Sequence, residues 1–305
     1  MSRTVNEGFN EFVEGLIPPF SEPGSAATNL RIIERCLKSG FDMDYLVTYG
    51  SIGHGTNVDG YCAIDCFAVI DKSRLHEESN KSLAEIRDCL AGHFPDAIVT
   101  DGRPCISISF GDNPCDRHHV VPAFPSGKQG DHYFYGIPGP SDQWIEASPG
   151  GHSAWINSLN DESKNKLKPF VRAIKAWNFY NGKPLWSFYV ELCAAEFLKE
   201  RNPIVYSSDV ASFLTELARN CLEPVEQPAS CNEPVYGTSR ADRKNALNAV
   251  RVAADLARQA HACEVKGNIA DAYYFWRKLY SWRFPSYLGQ AQPRAREDRV
   301  KESGE

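Results

Sequence analysis

The run Ile64-Asp65-Cys66-Phe67-Ala68-Val69-Ile70 is apolar at six of its seven positions. Side chains of a strand alternate between two faces, so a strand that is apolar on both needs cover on both. Such a strand belongs in the middle of a sheet, not at its edge. Its one charge, Asp65, stands at the beginning. Upstream, Tyr45 to Thr48 is a second β-type run. It leads into a small turn, Gly50-Ser51, within Tyr49-Gly50-Ser51-Ile52-Gly53-His54-Gly55-Thr56, and eleven residues separate Ser51 from Ala63.

Residues 25–39 are predicted to be helical, with Leu30, Ile33 and Leu37 on one face and Gly40 as the stop. Residues 80–93 read as an amphipathic helix. Cys105 to Phe110 alternates with period two, which predicts a half-buried strand. His118 to Phe124 predicts another, ended by Pro122. Residues 125–152 are rich in Gly, Pro and Ser and are read as a long ordered loop, with Ser148-Pro149 as a turn. From about residue 162 the pattern is helical. Phe170, Val171, Ile174 and Trp177 stripe one helix, Ser187 caps the next, which runs to about Glu200, and residues 208–221, 240–263 and 268–282 follow. Leu247, Val250, Ala254, Ala257 and His261 keep the helical rhythm. Trp177 and Trp276 are assigned to the core. Eight of the last twelve residues, 294–305, are charged, which predicts a mobile tail. There is no internal repeat. The predicted class is α+β: a mixed-sheet lobe with an N-terminal helix over 1–160, a helical lobe over 161–287, a tail over 288–305, and a cleft between the lobes.

A chain of 305 residues is long enough for two lobes with a shared core. It lacks an apolar run long enough to span a membrane, and no secretory leader is expected. The net charge of −6 argues against wrapping a long nucleic acid, whose phosphates call for a basic face. A small anionic substrate needs only a few cations in a cleft. None of the ten cysteines forms Cys-x-x-Cys, so a reducing, cytoplasmic setting without structural zinc is expected. His118-His119 near Cys115 does not by itself complete a zinc site.

Nucleotidyl transfer displaces pyrophosphate from an α-phosphate, and two magnesium ions about 4 Å apart can stabilise the charge that builds on the oxygens. Carboxylates at alternate strand positions share a face and suit such a pair. A Gly-Ser turn beside them offers N–H groups and a hydroxyl to a triphosphate. With these parts in view, Tyr49 to Ile70 resembles the signature of polymerase-β-type nucleotidyltransferases. More narrowly it resembles the CD-NTases, bacterial relatives of cyclic GMP-AMP synthase. Gly50-Ser51, Gly55-Thr56 and Cys62-Ala63-Ile64-Asp65 stand at that family's Gly-Ser, Gly-Thr and Ser-Asp-hydrophobic-Asp. Val120 to Phe124, Trp144 to Pro149 with His152, Arg172 to Trp177, Ser187 to Leu192 and Asp271 to Pro285 resemble further segments in the family's order.

The resemblance implies a polymerase-β-like fold that joins nucleoside triphosphates into a cyclic di- or trinucleotide. That product is a messenger that switches on an effector protein in bacterial anti-phage (CBASS) defence. It also implies roles. Gly50 and Ser51 hold the β/γ-phosphates, Asp65 ligates Mg2+ (Mn2+ is an alternative), Lys175 and Ser187 contact the triphosphate, and Phe188 stacks on a base. Two ions are implied in an active enzyme. A monomer is expected.

Two positions depart from the pattern. Ala63 stands where the first metal-binding acid belongs, and a methyl group cannot ligate magnesium. The intact surroundings favour an introduced inactivating change; a natural pseudoenzyme is the other origin. His119 stands where a third acid is expected. A neutral imidazole can accept a hydroxyl proton but suits magnesium poorly, so His119 is either catalytic or a lining residue. Asp116, three positions away, reaches the same face only through a bulge. His54, between two glycines, is read as a turn residue, and the role of His152 is open. A nucleotide-binding pseudoenzyme and a tRNA- or protein-modifying nucleotidyltransferase are the competing readings. Conjugation of the C-terminus to a partner is a further, undiagnosed idea.

Overall fold

A computed structural model describes residues 3–18, 24–61, 63–95, 97–99, 105–110, 117–139, 142–227 and 234–288. Asp116 and residues 289–305 lie outside the described residues, and with them most of the expected tail.

The apolar run forms β2 (Ile64–Val69), and it is interior. β2 lies between antiparallel β1 (Tyr45–Tyr49) and parallel β5 (Arg117–Gln129). Next to β5 come β4 (Ile106–Ser109) and β3 (Ala97–Val99), both antiparallel, so the sheet is mixed with order β1-β2-β5-β4-β3. Cover arrives on both faces, as the sequence requires. Cys66, Ala68 and Ile70 pack with Ile33 and Leu37 of α2 (Gly24–Phe41) and Ile86 and Leu90 of α4 (Ser79–His93). Phe67 and Val69 pack on the opposite face with Val121, Ala123 and Tyr135. Asp65 shares the odd-numbered face and looks away from α2 and α4.

Several expectations need correction. α2 runs past Gly40 to Phe41, and Asp42, in the left-handed region at φ 54°, is where it stops. Cys105, Ile106, Ser107 and Ile108 are all buried, because β4 carries the helix layer on one face and borders the cleft on the other. Pro122 does not end β5. It falls where β5 exchanges its antiparallel neighbour β4, paired through Val120, for β6 (His132–Pro138), paired from Phe124, so that edge asks no N–H of it. Much of residues 125–152 is sheet, not loop. Gly130-Asp131 closes a two-residue hairpin between β5 and β6, and β7 (Trp144–Ala147) adds a further antiparallel strand. The same stretch opens α5 (Pro149–Glu162), whose start is capped by the Ser148 hydroxyl accepting from the Gly151 N–H at 3.3 Å, with Pro149 in the first turn.

The helical lobe contains α6 (Leu167–Tyr180), α7 (Ser187–Leu198), α8 (Tyr206–Arg219), α9 (Arg243–Val265) and α10 (Ile269–Leu279). The stripe Phe170, Val171, Ile174 and Trp177 is buried, as is Trp276. Ser187 is the first residue of α7, not its cap; Trp186 occupies that position and makes no side-chain capping bond. α1 (Val5–Gly15) joins this lobe. Its Phe9 ring lies 4.8 Å from Trp276 and 5.0 Å from Phe284, so the core of the helical lobe begins in the chain's first turn of helix.

Candidate active site between the lobes

Immediately after β1, the chain turns into the short α3 (Gly50–His54). Gly50 has φ +75°, and a Cβ there would lie 2.3 Å from Asp65 Oδ2. Both facts restrict position 50 to glycine. The register pairs Tyr49 with Asp65 on one side of β2 and Asp65 with His119 on the other. Asp65 and His119 therefore share a face, and His119 Nδ1 lies 2.8 Å from Asp65 Oδ1. The two side chains retain 25 % and 19 % of their accessible surface.

They open into a cleft of about 740 Å³. Gly50, Ser51, Ala63, Asp65 and His119 line its sheet side. Lys175, Ser187 and Phe188 line its helical side, with the Phe188 ring edge-on to His152 at 5.1 Å. The positions given roles in the sequence, Gly50, Ser51, Ala63, Asp65, His119, Lys175, Ser187 and Phe188, all border this one cavity.

At the helical wall, Glu191 of α7 is buried and accepts from four groups. His54 Nδ1 is at 2.7 Å and His152 Nε2 at 3.0 Å from Oε1, while Thr56 Oγ1 at 2.5 Å and the Lys175 ammonium meet Oε2. Lys175 also donates to Thr56 Oγ1 at 2.9 Å. Burial alone would raise the Glu191 carboxyl. The Lys175 ammonium, joined by hydrogen bonds from His152 and His54, overrides burial and holds it well below the usual carboxylate range. Burial pushes His152 down, towards its neutral form. Arg172 donates to the Gly55 carbonyl at 2.7 Å, so α6 fixes the segment after α3 at two points. His54 is thus a buried partner of Glu191 and not merely a turn residue. Glu191 had no assigned role. The signal for it was a single acid amid Tyr189, Val190 and Leu192, since a charge inside an apolar helix needs partners.

The donor set can be tested against the implied pair of magnesium ions. Among the described residues lining the cleft, the carboxylates are Asp65 and Glu191. Glu191 is engaged with an ammonium already. One remaining carboxylate, beside an imidazole and the Ala63 methyl, does not fit a two-ion cage of hard oxygen ligands.

No protein-family model and no curated protein matches the chain. Solved structures do. CdnC of E. coli MS115-1, solved with ATP, superposes with a TM-score of 0.68 at 17% identity, covering 92% of this chain and 99% of that one. The Bradyrhizobium diazoefficiens CD-NTase CdnG, in complex with GTP, gives 0.64 at 10% identity over 92% and 97%. The chain has the CD-NTase fold. Vibrio cholerae DncV, a cyclic AMP-GMP synthase solved with a linear intermediate, gives 0.62 at 11% identity over 95% and 89%. The CD-NTase fold agrees with the mixed α+β architecture and the two-lobed plan expected from the sequence.

Proposed function

We propose that this chain is a nucleotidyltransferase that joins nucleoside triphosphates into a cyclic di- or trinucleotide, held in an inactive form by Ala63. The observation that carries the proposal is the convergence of Gly50, Ala63, Asp65 and His119 on one interlobe cleft. Similar structures include synthases of cyclic AMP-GMP and of cyclic dinucleotides, and that chemistry is carried here as a proposal. Gly50 and Ser51 take the β/γ-phosphates, Ser187 contacts the triphosphate, and Phe188 offers a ring to a base; Lys175, which the resemblance puts on the triphosphate, is instead buried and bonded to Glu191 and Thr56. His119 donates through Nδ1 to Asp65, so Nε2 keeps the lone pair that accepts a proton from the attacking hydroxyl. The carboxylate fixes the tautomer and stabilises the charged imidazole that results. The product acts as a cytoplasmic messenger on an effector protein in anti-phage defence.

A second reading, a nucleotide-binding pseudoenzyme, is favoured because, among the described residues lining the cleft, Asp65 is the one carboxylate not paired with an ammonium. One experiment separates the two. The Ala63→Asp variant is incubated with Mg2+ and all four nucleoside triphosphates, and pyrophosphate and phosphatase-resistant products are resolved. Turnover by the variant and none by the parent supports the synthase. Nucleotide binding without pyrophosphate release in both overturns it.

A further inference from the structure

Cys36 on α2 and Cys89 on α4 bring their Sγ atoms to 3.8 Å across the helix layer. His93 lies one turn beyond Cys89, and the three side chains place one ligand atom each within 4.8 Å of one another. The Sγ separation is informative. Two thiolates bound to one tetrahedral zinc at about 2.3 Å lie about 3.8 Å apart, whereas a disulfide would need the sulfurs at about 2.05 Å. A disulfide also leaves His93 without a purpose. The His93 ring is already oriented: Nδ1 is 3.1 Å from the Cys89 carbonyl, the kind of outer bond that steadies a ligating imidazole and leaves Nε2 its lone pair. Helical i, i+4 spacing puts Cys89 and His93 on one side of α4. The last turn of α2 presses on the same spot, where a Cβ on Gly40 would lie 2.9 Å from Cys89 Sγ. Cys36 is buried, Cys89 half-buried and His93 exposed, which leaves a path from solvent for an ion and a fourth position open to water. The buried trio His54, His152 and Glu191 is equally compact, but Lys175 already supplies a cation there.

We propose that Cys36, Cys89 and His93 bind a zinc ion that clamps α2 to α4 on the face of the sheet remote from the cleft. Cys36 and Cys89 are 53 residues apart, so no short motif announces the site, which is why the sequence reading expected no structural zinc. The proposal stands independently of nucleotidyl transfer.

The full chain is purified reduced, stripped of metal and titrated with Co2+, then with Zn2+ in competition, while elemental analysis counts zinc in the protein as isolated. One ion per chain is expected, with intense visible bands of tetrahedral cobalt and a near-ultraviolet thiolate-to-metal band. Asp65 offers no sulfur and cannot produce the latter. Cys36→Ser and Cys89→Ser should each abolish the thiolate band. His93→Ala, at an exposed position that leaves folding intact, should weaken binding at least about tenfold. The proposal is overturned if the reduced protein gives no thiolate band, if His93→Ala binds as tightly as the parent, or if mass spectrometry finds only a Cys36–Cys89 disulfide in air and no metal under reduction.

Discussion

The two walls of the cleft each hold a carboxylate bonded to imidazole, and burial separates their uses. On the sheet wall, Asp65 and His119 form one bond and keep about a fifth of their surface in solvent. On the helical wall, Glu191 accepts from His54, His152, Thr56 and Lys175 and is buried together with all four. The first pair lines the cleft and stays partly open to solvent. The second is saturated at the carboxylate and spans both lobes, since His54 and Thr56 come from the segment around α3 while Lys175 and Glu191 come from α6 and α7. Similar groups stay accessible on the sheet wall and are locked into packing on the helical wall.

The largest expected effect tests the architectural wall. Glu191→Ala leaves the Lys175 ammonium buried without its counter-charge and should cost about 3–5 kcal/mol in urea unfolding; a loss below 1 kcal/mol would erase the contrast. Proton linkage gives the same wall a pH signature. Glu191 and His152 are both depressed in the folded state. For each, the folded chain binds fewer protons than the unfolded one, so stability is full above the ordinary value and declines as pH falls. The loss should begin below 6.5 through His152 and continue below 4.5 through Glu191. Urea midpoints measured across this range should slope downward with acid, and Glu191→Gln should flatten the lower part.

Next in size is the chemical wall. In an Ala63→Asp background, His119→Ala should lower single-turnover rates about a hundredfold, as expected for a lost general base. Unchanged rates would make His119 a lining residue only. The smallest effect is expected from Asp65→Asn in the parent chain, whose stability should shift by no more than about 1 kcal/mol because the pair is partly solvated; calorimetry reads this directly.

What the sequence disclosed follows the range of the interaction concerned. β2 was legible because double-sided burial leaves a continuous apolar run, and α6 because its stripe repeats within one helix. The β5–β6 hairpin and the first turn of α5 fall in the stretch expected to be loop, although Gly130-Asp131 and Ser148-Pro149 carry turn and helix-start signals. Richness in Gly, Pro and Ser masked them. In the site, Gly50 and Asp65 follow from local pattern. The pairing of His54 with Glu191 joins residues 137 apart, and no periodicity encodes it. Pro122 was read by its usual behaviour, and only the change of neighbour along β5 explains its tolerance.

The seating of α1 among the later helices governs how this molecule can be dissected. Phe9 and Phe12 fill space bounded by Trp276, Tyr280 and Phe284. A fragment beginning at residue 161 would surrender those two rings and expose an aromatic hollow to water. Dividing the protein with one cut is therefore a poor route to an isolated helical half, whereas supplying residues 3–18 as a separate peptide offers a way to refill the hollow.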